Sequence, residues 1–193
     1  MGYQLQKEAL RPTPNANIGE LFYHNGLTPP GFVWIDELGV VRRMGRQFCK
    51  LTADGTGVTS NTLVNLAGIA FDVKNGGYYH YKFGVNYSVG TSVTNTGIRL
   101  GLTFGTVTIF SGTVRIPASG GGTGGELQDF LTSSGDSGAS VGSEAIDTVY
   151  FASLEGTIVP SADGVLQLQY ARGGSTANTV TPKVGTFGFL WSY

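Results

Sequence analysis

Tyr79-His80-Tyr81-Lys82-Phe83-Gly84-Val85-Asn86-Tyr87 is the stretch that decides the fold class of this chain. Large apolar side chains occupy every second position, and small or polar residues fill the positions between them. Successive side chains of a β-strand point to opposite faces of its sheet, so a period of two indicates a strand with one buried face. We therefore expect the odd-numbered residues of this strand to lie in the core.

The same period recurs in later segments, which lie at 98–104, 166–170 and 187–193. In the last segment the aromatic residues at odd positions are expected to be buried, and Gly188 is expected to face outward. Further short apolar runs lie at 63–73, 107–110 and 149–158, and glycine-containing turn signals separate the runs. Many short strands with regular turns predict an all-β fold, an antiparallel β-sandwich of the jelly-roll-like kind. The sequence allows at most one short helix, around 126–131.

The N-terminal region differs from the rest of the chain. Residues 1–48 are predicted to be an attachment region, with an extended arm over 1–14 and a small β-hairpin over 32–43 that turns at Asp36 to Gly39. A hairpin alone is marginal in water, so its aromatic residues must be buried against the main domain or another chain. Residues 49–193 are predicted to form the sandwich, with a flexible Gly/Ser insertion at 120–143. The candidate attachment residues are Phe22, Tyr23, Phe32 and Trp34.

Composition excludes several classes of protein. The 12 Lys+Arg and 13 Asp+Glu residues give a net charge of −1 without like-charge blocks, which argues against nucleic-acid binding. Hydrophobic residues at 40% argue against disorder. No apolar run approaches the ~20 residues of a membrane helix, and neither a signal peptide nor a membrane partner is expected. The single Cys49 cannot form an internal disulfide, which suits assembly in a reducing cytoplasm.

Glycine is unusually frequent, at 31 of 193 residues, where an average protein has roughly 7%. Some glycines belong to turns, but Gly84, Gly101 and Gly188 fall at positions expected to face outward on strands. Glycine weakens a strand unless another backbone or ligand approaches closely. We therefore interpret these glycines, together with the low charge, as marks of a surface that partner subunits cover.

Motifs that could carry chemistry lack their structural context. Gly135-Asp136-Ser137-Gly138 matches the tetrapeptide around the nucleophile of trypsin-like proteases, but neither His24 nor His80 has the surroundings of a catalytic base. Gly120-x-Gly122-x-x-Gly125 lacks the βαβ context of a dinucleotide site. No catalytic residue, metal ligand or cofactor site is predicted. A pair of carboxylates that hydrolyses glycosides stays open, because such pairs meet in space rather than in sequence.

Three phrases of the sequence carry a family resemblance. The first combines Ser60-Asn61-Thr62-Leu63 with Gly68-Ile69-Ala70-Phe71-Asp72-Val73, the second is Thr94-Asn95-Thr96-Gly97-Ile98, and the third is Ala162-Asp163-Gly164-Val165-Leu166-Gln167-Leu168. They resemble, in this order, phrases of a virion β-sandwich of tailed bacteriophages that occurs in head decoration proteins and tail-fibre domains. This chain departs from that pattern with Ile69 in place of leucine and with the insertion at 120–143.

The resemblance implies a non-enzymatic structural protein located in the virion. Proteins of this kind are commonly trimers, so it implies a homotrimer that binds the major capsid protein as a decoration, or cement, protein. The alternative is a tail-fibre or receptor-binding protein that contacts tail proteins or a host receptor. A third hypothesis, from another class, is a glycan hydrolase.

Overall fold

Antiparallel strands form the regular structure of the residues that the computed structural model describes, which are 20–24, 31–35, 41–90, 97–118, 125–139, 147–174 and 178–192. Among these residues there is no helix. The strands are β1 (Glu20–His24), β2 (Gly31–Ile35), β3 (Val41–Lys50), β4 (Val64–Val73), β5 (Tyr79–Val89), β6 (Ile98–Thr103), β7 (Val107–Ala118), β8 (Gly125–Leu131), β9 (Ser137–Ala139), β10 (Tyr150–Pro160), β11 (Gly164–Arg172), β12 (Val180–Pro182) and β13 (Phe187–Ser192).

Two sheets contain these strands. The large sheet has the order β1-β2-β3-β13-β5-β10-β7-β8, with β12 also paired to β5, and the small sheet has the order β4-β11-β6-β9. Every pairing is antiparallel. The predicted all-β sandwich is confirmed, and the finer jelly-roll assignment stays a prediction.

The core lies between the two sheets and is organised around β5. Its residues Tyr79 to Val89 at odd positions are at most 3% exposed, as the period of two predicts. Phe83 of β5 stacks across the core on Phe71 of β4, with ring centroids 5.7 Å apart. Each large apolar side chain that is fully buried in this way stabilises the fold by roughly 1.5–3 kcal/mol.

A notch formed by two glycines holds the central side chain of this core. Tyr81 is fully buried, and its hydroxyl donates a hydrogen bond of 2.8 Å to the carbonyl oxygen of Ser111. Gly112 and Gly156 lie directly opposite each other in the pairing of β7 with β10. A Cβ atom on Gly112 would lie 2.7 Å from the Tyr81 hydroxyl, and one on Gly156 would lie 2.6 Å from it. Only glycine leaves room for the phenol here, and burial raises the pKa of Tyr81 above its usual value.

β3 connects the N-terminal strands to the sandwich. Its residues 41–44 pair with β2, and its residues 45–50 pair with β13. The antiparallel pairing of β2 with β3 confirms the predicted hairpin, while its turn and the arm over 1–14 lie outside the described residues. The predicted domain boundary after residue 48 falls inside β3.

The short helix that the sequence allows at 126–131 is not formed. Residues 126–131 belong to strand β8 rather than a helix, because they pair with β7 along their whole length. Leu131 then lies buried beside the core, while Phe130 points outward. Within the expected Gly/Ser insertion at 120–143, residues 137–139 form β9, and residues 132–136 link it to β8 through a turn. The flexibility of the insertion stays a prediction.

The glycine notch gives a test of the packing around Tyr81. Substitution Gly156→Ala places a Cβ against Tyr81 and the β7 backbone, and overpacking of this kind costs about 1–3 kcal/mol. Gly164→Ala is the matched control, because a Cβ at that position meets nothing within 4 Å. We expect urea unfolding to show the loss for G156A and a change within about 0.5 kcal/mol for G164A. Equal stability of the two variants would contradict the packing described here.

Candidate interaction surface

The outer face of the large sheet, which points away from the core, carries the most unusual surface of the described residues. Lys82 and Gly84 of β5 belong to this face, since they alternate with the buried residues of that strand. The register of the neighbouring strands then places a group of aromatic side chains on the same face. This group, called the aromatic cluster below, consists of Phe48, Phe151, Phe187, Phe189 and Trp191.

β13 contributes three rings to this cluster because the opposite face of the strand from the predicted one is buried. Leu190 pairs with Tyr81 and is buried, whereas Phe189 pairs with Lys82 and faces outward. Gly188 faces inward, where a Cβ would lie 2.8 Å from the ring of Phe83 and 2.9 Å from Cys49 Sγ. Long-range pairing with β5 therefore overrides the expectation that the aromatic set of β13 is buried.

The rings of the cluster touch one another in a continuous series. Their centroids are 4.8 Å apart for Phe48 and Phe189, 5.3 Å for Phe187 and Phe189, and 5.7 Å for Phe189 and Trp191. Phe151 lies 6.4 Å from Phe187. Phe48 is 53% exposed and Phe151 is 49% exposed, so the cluster is open to solvent.

Arg46 covers part of the cluster. Its guanidinium carbon lies 3.5 Å from the ring centroid of Phe189 and 5.2 Å from that of Trp191. This geometry is that of a cation–π contact, in which the positive charge faces the negative face of the ring. The cluster therefore offers a partner apolar rings together with the cationic groups of Arg46 and of Lys50, which pairs with Phe187.

The chain's own side chains cover the outward glycines. A Cβ on Gly84 would lie 2.5 Å from the ring of Phe187 and 2.9 Å from that of Phe151. On the small sheet, a Cβ on Gly101 would meet the carbonyl oxygen of Asp136 at 2.7 Å. The interpretation that these glycines mark surface covered by partner subunits is therefore wrong. They make room for contacts within the chain, and at Gly84 these contacts seat the aromatic cluster.

The other half of the outer face is polar. Lys82 Nζ lies 3.5 Å from Glu155 Oε2, and the hydroxyls of Ser111 and Thr157 are hydrogen-bonded at 2.8 Å. Beside them, a groove of about 380 Å³ runs between β10, β7 and β8. Phe130 lines this groove and is 66% exposed. The face thus joins an aromatic half to a half that offers charges, hydroxyls and one exposed ring.

The protease-like tetrapeptide has a structural role. The Asp136 carboxylate accepts hydrogen bonds from the backbone N–H groups of Thr132, at 3.0 Å, and Ser137, at 2.8 Å. These contacts close the loop between β8 and β9 and hold the pKa of the Asp136 carboxyl below its usual value. Ser137 begins β9 in the small sheet, whereas His80 lies on the large sheet beside Trp191, with ring centroids 5.3 Å apart. The structure does not bring this serine and this histidine together.

A second open cleft, of about 600 Å³, lies between the segment after β3 and strand β4. Asp54 at its rim accepts hydrogen bonds from Lys183 Nζ and the Val184 N–H, both at 2.9 Å. Its other lining groups include Leu66 and Tyr170, whose hydroxyl is bonded to the backbone of Thr56. These contacts hold the segment against the sandwich, so the cleft belongs to the scaffold.

The predicted attachment residues lie on two neighbouring strands. Phe22 and Tyr23 belong to β1, and Phe32 and Trp34 belong to β2. Phe32 is the register partner of Tyr23, and β2 pairs in turn with β3. The structure therefore brings the four residues into one three-stranded ribbon, whose third strand, β3, also carries Phe48. Their part in attachment stays a prediction.

Neither a metal site nor a membrane-spanning helix is found among the described residues. They contain no group of three or more His, Cys, Asp or Glu side chains that could hold a metal ion. No helix with the length and apolar character needed to cross a membrane occurs in them.

Comparison with protein-family models and with curated proteins gives no match to this chain. Its function is therefore inferred from its own residues and contacts.

The Asp136 contacts give a dependence of stability on pH. A carboxyl with a lowered pKa in the folded state stabilises the fold above the unfolded pKa of about 4. That stabilisation is lost as the pH falls through the folded pKa. We expect the melting temperature of Asp136→Asn to lie below that of the wild type at neutral pH and to fall less on acidification. An identical acid dependence of the two proteins would contradict the role given to Asp136.

Proposed function

We propose that this chain is a non-enzymatic structural protein of a tailed-phage virion, a decoration protein that binds the assembled head. The observation that carries the proposal is the aromatic cluster on the outer face of the large sheet. Monomeric soluble proteins rarely expose a large contiguous apolar patch, and such patches mark surfaces that bind other proteins. The proposal therefore assigns the outer face to protein–protein contact.

Energetics support docking by this face. Phe48 and Phe151 keep about half of their surface in water, and burying a phenylalanine stabilises a complex by up to roughly 1.5–3 kcal/mol. The rings are already held by Gly84 and by one another, so little side-chain freedom is lost when a partner covers them. A preorganised aromatic surface of this kind is typical of the central part of a protein interface.

The sequence supports the virion assignment. Each of the three phrases that resemble phage decoration proteins overlaps one strand of the sandwich. These strands are β4, β6 and β11. The resemblance adds a homotrimer and the major capsid protein as partners, with assembly in the host cytoplasm. In this proposal the ribbon of β1 to β3 contributes Phe22, Tyr23, Phe32 and Trp34 to attachment.

A tail-fibre or receptor-binding protein is the second candidate. The observation that favours it is the groove beside Phe130, which combines one exposed ring with the carboxylate of Glu155 and the hydroxyl of Thr113. A ring that stacks on a sugar and polar groups that bond its hydroxyls are the chemistry with which proteins recognise glycans. Electron microscopy with a labelled antibody separates the candidates: label on heads supports decoration, and label on tail tips supports the fibre.

The aromatic cluster gives the first test of the decoration role. The double variant Phe48→Ser/Phe151→Ser removes exposed rings without touching the core, and we expect its incorporation into particles to fall about tenfold or more. Val165→Ser is the control, because Val165 is 46% exposed on the small sheet. Quantitative immunoblotting of purified particles measures incorporation. Equal incorporation of both variants would contradict docking by this face.

The ribbon gives a second, independent test. The variant Phe32→Ser/Trp34→Ser changes two of the predicted attachment residues on β2 and leaves β3 and the sandwich unchanged. We expect circular dichroism to stay that of the wild type and incorporation into particles to fall. Undiminished incorporation of this variant would contradict a role of the ribbon in attachment.

A further inference from the structure

One row of side chains crosses the whole outer face. The register pairs its members one after another across six strands, β3, β13, β5, β10, β7 and β8. Neighbouring strands are about 4.8 Å apart, so the row is roughly 24 Å long. We call it the central row, and it consists in spatial order of Phe48, Phe189, Lys82, Glu155, Thr113 and Phe130.

The chemistry of this row is self-complementary. An aromatic ring stands at each end, and a cation and an anion occupy the two middle positions. When the row is read in reverse against itself, Lys82 meets Glu155, Glu155 meets Lys82, and Phe48 meets Phe130. A two-fold axis produces this arrangement when it runs parallel to the strands, above the boundary between β5 and β10 and midway between the two copies. Rotation about this axis turns the face over and exchanges the two halves of the row.

We propose that the outer face binds the outer face of a second copy of this chain about this two-fold axis. The inference rests on the proposed role of the face in protein contact and names a second copy of this chain as its occupant. Attachment to the major capsid protein then falls to the ribbon of β1 to β3. Two sheets that pack face to face keep their strands within about 30° of each other, which this axis allows. The contact is isologous, so each residue pair across it occurs twice.

One neighbouring row agrees with this axis. Phe187 of β13 lies in one register row with Gly84, Ser153 and Arg115 of β7. The two-fold axis exchanges the positions of β13 and β7, so Phe187 of one copy faces Arg115 of the other. Arginine over an aromatic ring is a favourable cation–π pair. The second row therefore adds two such contacts to each dimer.

The middle charges favour a second copy over a purely apolar partner. Lys82 and Glu155 are loosely paired at 3.5 Å, with 43% and 33% of their side chains exposed. An ammonium has three donors and a carboxylate has two acceptor oxygens, so each group can take a second partner. An apolar partner would remove both charges from water with only this loose pair as compensation, which is costly. A second copy supplies an opposite charge to each.

This pairing uses a sheet face and none of the sheet edges. It is therefore a separate contact from the homotrimer that the sequence resemblance implies, and the two contacts can occur in one assembly. The expected signature of the pairing is an even-numbered association that depends on the charges of Lys82 and Glu155.

Charge reversal tests the proposal in solution with the full-length chain. The variants Lys82→Glu and Glu155→Lys each place like charges opposite each other across the two-fold axis. We expect sedimentation equilibrium to show association for the wild type and a roughly ten- to a hundred-fold weaker dimer for each variant alone. Circular dichroism checks that both variants are folded.

Mixing the two variants is the decisive step. In a mixed pair, the carboxylate that K82E introduces faces the ammonium that E155K introduces on the other copy. The unchanged Glu155 of the first variant faces the unchanged Lys82 of the second, so both contacts become attractive. We expect an equimolar mixture to regain the association of the wild type. A contact within one chain cannot produce this recovery, because each variant chain carries two like charges at these positions.

Lys74→Glu is the matched control. Lys74 Nζ forms an exposed ion pair with Asp163 Oδ2 at a distance of 2.7 Å, and this pair does not belong to the outer face. The substitution should leave association unchanged. The inference is overturned if the wild type stays monomeric or forms only trimers. It is also overturned if the equimolar mixture of K82E and E155K does not regain the association of the wild type. Incorporation of the wild type into particles is measured separately, so the proposed function can stand when this pairing fails.

Discussion

The packing of Tyr81 into the notch of Gly112 and Gly156 is the constraint on which the rest of the structure depends. The buried phenol reaches the carbonyl of Ser111 only when β5, β10 and β7 keep their observed register. A slip of one residue would exchange the two faces of the strand, since side chains alternate with a period of two. The same constraint that buries Tyr81 therefore places Lys82 and Gly84 on the outside.

The outer face follows from this register. With Gly84 outward, Phe187 and Phe151 can lie over the β5 backbone, and their rings join Phe48 and Phe189 in one exposed cluster. The strand glycines Gly84, Gly112 and Gly156 thus serve close packing within the chain, and the exposed rings over Gly84 are a consequence at the surface. Apolar rings at both ends of the face and the Lys82–Glu155 ion pair between them are the features on which the proposed docking rests.

The sequence predicts the sandwich well wherever the two faces of a strand differ in polarity. β5 is such a strand, and its buried set is predicted correctly. β13 is not, because its alternate set includes Gly188 and Leu190, and only pairing with β5 decides which set is buried. The sequence allows a helix at β8, but none forms there, because β8 pairs along its whole length with β7, and this pairing is not visible in the local sequence. The proposed docking surface could not be predicted from the sequence, since Phe48, Phe151 and Phe189 become neighbours only through long-range pairing. The predicted attachment residues Phe22, Tyr23, Phe32 and Trp34, by contrast, are close together in the sequence.

Hydroxyl-radical footprinting of the chain, diluted until it is monomeric, and of purified particles tests most directly whether partners cover the outer face. Rings that are exposed in the protomer are oxidised readily, and coverage protects them. If the face is a docking surface, Phe48, Phe151 and Phe130 are oxidised in the isolated protomer and protected in particles, while Val165 on the small sheet is labelled equally in both. Equal oxidation of the three phenylalanines in protomer and particle would contradict this assignment.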